Sequence, residues 1–140
     1  MSSRGRTVVF EGQARTAQRA EVVLTVPADS VFLSVVRTAT AGLAARLDLT
    51  LDDIEDLRIA VDEACSLLLK QARADASVTV AYTLTEGLLS IQATVACDGP
   101  ELPSRDGFSW TVLAALTTNL DMWVDGSDLI VSLDRARYDG

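Results

Sequence analysis

Asp62-Glu63-Ala64-Cys65-Ser66-Leu67-Leu68-Leu69-Lys70-Gln71-Ala72 closes a segment that begins at Thr50 and carries a helical pattern. Apolar Ile54, Leu57, Val61, Ala64, Leu68 and Ala72 recur at steps of three and four, which draws one stripe down a helix. Thr50 with Asp53 three residues on reads as an N-cap. Asp52 and Asp53 then fall in the first turn, where the helix dipole favours negative charge. Glu63 stands one turn before Leu67 on the flank of the stripe, so the two side chains are neighbours on one face.

Outward from that helix the pattern changes. Upstream, Val22, Leu24 and Val26 alternate between Glu21 and Val26 as a half-buried strand that Pro27 ends. Asp29 or Ser30 caps a first helix to about Leu47, with Phe32, Val35, Val36, Ala39 and Leu43 as its core stripe. Its other face, Ser34, Arg37, Thr38, Ala41 and Ala45, is small or polar. Small side chains admit another backbone closely, and one arginine among them suits a carboxylate. Downstream, Val78, Val80, Tyr82 and Leu84 alternate with polar or small residues. Glu86-Gly87 turns the chain, and Leu89, Ile91, Ala93, Val95 and Cys97 return. A turn-rich loop from Asp98-Gly99-Pro100 to Asp106-Gly107 leads to a third helix, Phe108 to about Leu120. Two last strands, Met122 to Val124 and Leu129 to Leu133, flank Asp125-Gly126-Ser127-Asp128. This order of strands and helices predicts an α+β fold, a two-layer sandwich of one mainly antiparallel sheet with three helices on one face. Residues 1–19 are expected to form an arm, frayed or with an edge strand at Val8-Val9-Phe10, and residues 20–140 a single domain.

Composition narrows the function. The 140 residues carry a net charge of −8, which argues against direct nucleic-acid binding, since that needs basic surface to displace counterions. No apolar run has membrane length, and Ser2 to Gln13 lacks the apolar stretch of a leader, so a cytoplasmic protein is expected. With no histidine and no paired-cysteine spacing, a zinc site is not expected. Cys65 and Cys97 lie in apolar segments and read as buried free thiols.

The run Glu63-Ala64-Cys65-Ser66, followed by Leu67, resembles the Glu-Ala-Cys-Thr-Asn-Ala-Val-x-His-Ala box of the bacterial anti-sigma-factor serine-protein kinases. The resemblance extends from Glu21 to Arg135 and implies the GHKL (Bergerat) ATP-binding fold. In that family the box Glu is the general base and the box Asn holds Mg²⁺ and phosphate. Here Glu63 keeps the base position, Leu67 stands for the Asn and Gln71 for the His. A leucine offers a metal no oxygen, and Mg²⁺ demands oxygen ligands. The family's adenine box, Asp-x-Gly-x-Gly, corresponds to Cys97-Asp98-Gly99-Pro100-Glu101: Gly99 survives, Cys97 replaces the adenine reader unless a slip brings in Asp98, and Glu101 replaces the second glycine. The phosphate box, Gly-x-Gly-Leu, corresponds to Gly107-Phe108-Ser109-Trp110, where Gly107 alone survives. The Phe108-Ser109-Trp110 run is similar to the actinobacterial branch of the family.

All three boxes being degenerate together, the resemblance implies a pseudo-kinase with Glu63 a vestigial base and no cofactor or metal. Counting back from the Glu63 box, Arg37 falls where the family keeps a sigma-contacting arginine on its first helix. The expected function is therefore an anti-sigma factor that sequesters an alternative sigma factor through Ser34, Arg37, Thr38 and Ala41. A STAS-domain anti-anti-sigma factor would release it, and the family's habit implies a homodimer. The alternative is an active serine-protein kinase that uses Mg·ATP to phosphorylate its STAS partner; a third reading is a dimerising scaffold with no sigma partner.

Overall fold

The structure, a computed structural model, describes residues 19–137. Residues 1–18 of the arm expected over 1–19, with its alternative edge strand at Val8-Val9-Phe10, lie outside them. The strands are β1 (Ala20–Pro27), β2 (Ser77–Thr85), β3 (Leu88–Ala96), β4 (Asn119–Asp125) and β5 (Asp128–Ala136). The helices are α1 (Leu33–Arg46), α2 (Leu51–Gln71) and α3 (Phe108–Leu116), with a short tight turn of helix, Ser30–Phe32, ahead of α1. The strands form one sheet in the order β1-β2-β3-β5-β4, and every neighbouring pair is antiparallel. The fold is the expected α+β sandwich.

Register fixes which face is buried. Val80 pairs with Leu24 and Ala93, Ala93 with Val131, and Val131 with Met122. From Val80 to Met122 that row is buried, and only Leu24 at the edge is partly exposed. The next row, Val23, Ala81, Gln92, Ser132 and Asp121, points the other way and stays open, because side chains alternate across a strand. Helix α2 lies over the central strands β3 and β5, with α1 on one flank and α3 on the other.

Helix α2 starts as the sequence predicts. The Thr50 hydroxyl accepts from the Asp53 N–H at 3.1 Å and the Asp53 carboxylate accepts from the Thr50 N–H at 3.3 Å, a reciprocal box of the kind that stabilises a helix by about 1 kcal/mol. Asp53 is also 1% exposed, and a carboxylate so far from water needs a cation. Arg135 on β5 supplies it at 2.7 Å, reaches Asp56 at 3.2 Å, and spends its other terminal nitrogen on the Leu116 carbonyl at the end of α3. At the far end of α2, the Arg73 N–H donates to the Ala96 carbonyl at 2.8 Å and Ala72 bridges to Cys97.

Two expectations need correction. The core stripe of α1 is Leu33, Val36, Thr40 and Ala44, whereas Phe32 and Val35 are exposed and Ala39 and Leu43 only partly buried. The stripe is turned because Thr40 can go inside: its hydroxyl donates to the Val36 carbonyl at 2.7 Å and meets the Tyr82 hydroxyl at 2.8 Å, so nothing polar is stranded. Helix α3 ends at Leu116 and not near Leu120; Thr117 is extended, its hydroxyl donates to the Leu113 carbonyl at 2.8 Å, and Asn119 and Leu120 belong to β4. The short closing strand expected over Met122 to Val124 is correspondingly longer.

The Asp53–Arg135 pair sets a stability prediction. Replacing Arg135 by Met removes the guanidinium that lies 2.7 Å from the buried Asp53 carboxylate, and urea unfolding should show a loss of about 3 kcal/mol. A loss below about 1 kcal/mol, the value of a surface pair, would count against the pair as the anchor of α2.

Candidate functional site

The sequence-predicted residues fall into two neighbouring places on the helix layer. Glu63 sits half-buried midway along α2 and shares a shallow groove with Arg37, Glu55, Arg58, Ile59 and Asp62. Arg37, on α1, crosses that groove and pairs with Asp62 at 2.6 Å. The carboxylate that Arg37 finds is thus within the chain, and both partners keep more than a third of their side chains in water, so the pair is worth at most about 1 kcal/mol. Ser34 and Thr38 line a second shallow depression with Val35 and Ala39, while Ala41 is half-buried and lies outside both. Val31 and Val35, 67% and 45% exposed, give this face an apolar component that the sequence reading assigned to the core in the case of Val35.

The second place is the strap of residues 98–107 between β3 and α3. Asp98 and Gly99 open it and Gly107 closes it as the N-cap of α3. Gly99 has φ +70°, which a glycine adopts without strain. Asp98 pairs with Arg73 at 3.1 Å, and Arg73 also donates to the Cys97 carbonyl at 3.1 Å. Ser109, in the first turn of α3, donates its hydroxyl to the Glu63 carboxylate. Glu63 therefore lies against a helix N-terminus, a position that favours an anion. Gln71 makes a two-way clasp with Glu101: its amide nitrogen donates to the Glu101 carbonyl at 2.7 Å and its oxygen accepts from the Glu101 N–H at 2.8 Å.

As donors for a magnesium nucleotide these positions do not fit. Leu67 is 8% exposed, belongs to the core cluster and has no oxygen. The Gln71 amide is taken by backbone and the Glu63 carboxylate by Ser109. Among the described residues no three of His, Cys, Asp and Glu converge as a metal site, and no helix is long and apolar enough to cross a membrane. Sequence reasoning missed Asp62, Ser109 and Arg73 as partners. The degenerate boxes gave a hint only for Ser109, which occupies a glycine position.

No protein-family model matches the chain. It is 33% identical over 105 residues to the anti-sigma-F factor RsbW of Mycobacterium tuberculosis, a match covering 75% of this chain and 62% of that protein. It is 48% identical over 58 residues to the serine-protein kinase RsbW of Halalkalibacterium halodurans, covering 41% of this chain and 36% of that one. The chain is thus similar to RsbW proteins over up to three quarters of its length. A third RsbW, the serine-protein kinase of Bacillus cereus, is 32% identical over 92 residues, 62% of this chain and 58% of that protein. The chain thus matches less than two thirds of the length of each of these RsbW relatives. A solved structure of the RsbU and RsbW domains of a Mycobacterium tuberculosis protein superposes with a TM-score of 0.67 over 86% of this chain and 35% of that one. At 16% identity that likeness is one of fold, and it supports the Bergerat-type sandwich.

Cys65, two residues from Glu63, gives a prediction for this RsbW-like helix. Burial, and then the nearby Asp62 charge, push its thiol from the ordinary 9.0 up to about 12. Between those values the unfolded chain loses a proton that the folded one keeps, so this contribution is fully present below pH 9.0 and is lost as pH rises towards 12. Urea midpoints measured from pH 8 upward should fall across that window, and Cys65→Ala should flatten the slope; an unchanged slope in the variant would exonerate Cys65.

Proposed function

We propose that this chain is an anti-sigma factor that sequesters an alternative sigma factor by direct binding. A STAS-domain anti-anti-sigma factor would release it, and neither step would call on nucleotide. The observation that carries the reading is the 33% identity, over three quarters of this chain, to a mycobacterial RsbW named for anti-sigma-F activity. The binding face would be the outer side of α1 and of the tight turn ahead of it: Ser34 and Thr38 as small contacts, Val31 and Val35 as apolar ones, Ala41 at its margin, and Arg37 at the groove edge. Such a face gains affinity by excluding water around a central apolar cluster and specificity from the charge beside it. A family homodimer would present it twice.

Arg37 is the residue to test. Reversing it in Arg37→Glu sets like charge against Asp62 and against any sigma carboxylate, and binding of the cognate sigma factor should weaken by at least about tenfold. Affinity equal to wild type, in a variant with unchanged thermal unfolding, would remove Arg37 from the interface.

The competing reading is a serine-protein kinase, the name borne by the Halalkalibacterium and Bacillus relatives, and it is favoured here by the retention of Glu63. A base acts on a phosphoryl group positioned by metal and backbone, and Leu67, Glu101 and Ser109 replace the residues that would do so. Titration with Mg·ATP should leave the melting temperature unchanged, because only a ligand bound by the native state raises it. A saturable rise, with phosphate transferred to a STAS partner, would make this chain a kinase.

A further inference from the structure

The strap of residues 98–107 buries little apolar surface. Leu102 is 54% exposed and Phe108, just beyond it, 80%. Polar clips hold it instead. Arg73 takes its first turn through Asp98 and the Cys97 carbonyl, Gln71 clasps both backbone groups of Glu101, and Ser109 ties the start of α3 to Glu63. The clips come from three places along α2 and its exit: Glu63 midway, Gln71 at its last residue and Arg73 just past its end. Within the strap, Ser104 caps its own turn by accepting from the Asp106 and Gly107 N–H groups at 3.1 and 3.2 Å. The Arg105 guanidinium lies over the Trp110 ring at 4.3 Å and reaches Asp121 at 3.4 Å, which joins strap, α3 and β4.

We infer that Glu63, Gln71 and Arg73 form a latch that keeps the strap closed on α2 with no ligand present, the Glu63 carboxylate serving as a built-in anion at the α3 N-terminus. The inference rests on the nucleotide-free reading above and deepens it: this chain would hold by its own side chains the closed shape that a bound anion could otherwise stabilise. Two features make Gln71 the central part. A primary amide holds an NH₂ donor group and a carbonyl acceptor side by side, which matches the C=O and N–H of a single residue, so both backbone groups of Glu101 are satisfied without a partner strand. The clasp also lies between the two end clips, three residues past Asp98, and holds a stretch of strap that they leave free.

The Glu101 amide is the reporter, because its acceptor is the Gln71 side chain. Hydrogen exchange of the full chain without nucleotide should show that amide slowed by about tenfold, as one net hydrogen bond allows. Gln71→Ala should abolish the slowing while the amides of α2 keep theirs, and Gln71→Glu, which retains an acceptor and loses the donor, should keep part of it. Mg·ATP should change none of these rates in the wild type. A Glu101 amide that exchanges freely in the wild type, or that keeps its protection in Gln71→Ala, overturns the latch and leaves sigma sequestration untouched. New protection across residues 98–110 on adding Mg·ATP overturns the latch and the nucleotide-free reading together. Failure to bind a sigma factor, with the exchange pattern as expected, overturns only the sequestration.

Discussion

A carboxylate out of water governs how the layers of this protein meet. Asp53 accepts from the Thr50 N–H and from Arg135, and Arg135 in turn covers Asp56 and the last carbonyl of α3. Desolvating a charge costs several kcal/mol, so the arrangement holds only while the start of α2, the end of β5 and the end of α3 stay together. At the other end, Arg73 and Ala72 tie the exit of α2 to the end of β3. With both ends fixed to the sheet, α2 becomes a rigid bar across the central strands. Arg37 pairs with its residue Asp62, and the strap is clipped to Glu63, to Gln71 and to Arg73 just beyond it.

What was legible in the sequence follows from how local the cause was. The hairpin of β2 and β3 was read correctly from alternation alone, because one face of each strand is buried along most of its length. The start of α2 was read correctly too, since a capping box is complete within four residues. Helix α1 was misread by a partial turn: Thr40 counts as polar until Tyr82, forty-two residues on, arrives to satisfy its hydroxyl. The end of α3 was misread for a similar reason. Nothing in Thr117-Thr118-Asn119 forbids a helix, and the stop comes from the pairing of β4 with β5 and from Arg135 on the Leu116 carbonyl.

The candidate site divides along the same line. That Leu67 cannot ligate a metal is a property of its side chain and could be read directly. That Glu63 would be engaged by Ser109, Gln71 by Glu101 and Arg37 by Asp62 could not, because those pairs are separated by 46, 30 and 25 residues. The sequence therefore disclosed which groups were missing and left unseen what the remaining ones had become.

A catalytic nucleotide site must keep polar groups unpaired until its ligand arrives, and such groups weigh against stability. In this chain the corresponding groups are spoken for. Leu67 is a buried side chain at the position where the resemblance puts a metal-holding amide, and burying a leucine stabilises the native state by roughly 1.5–3 kcal/mol relative to leaving it exposed. Glu63 and Gln71, both polar and both only half-buried, serve as fasteners for a strap that its own exposed Leu102, with exposed Phe108 just beyond it, cannot hold down. On the proposed reading, loss of the chemistry and gain of a fixed shape would be one physical event, and a fixed shape suits a protein that acts by sequestration.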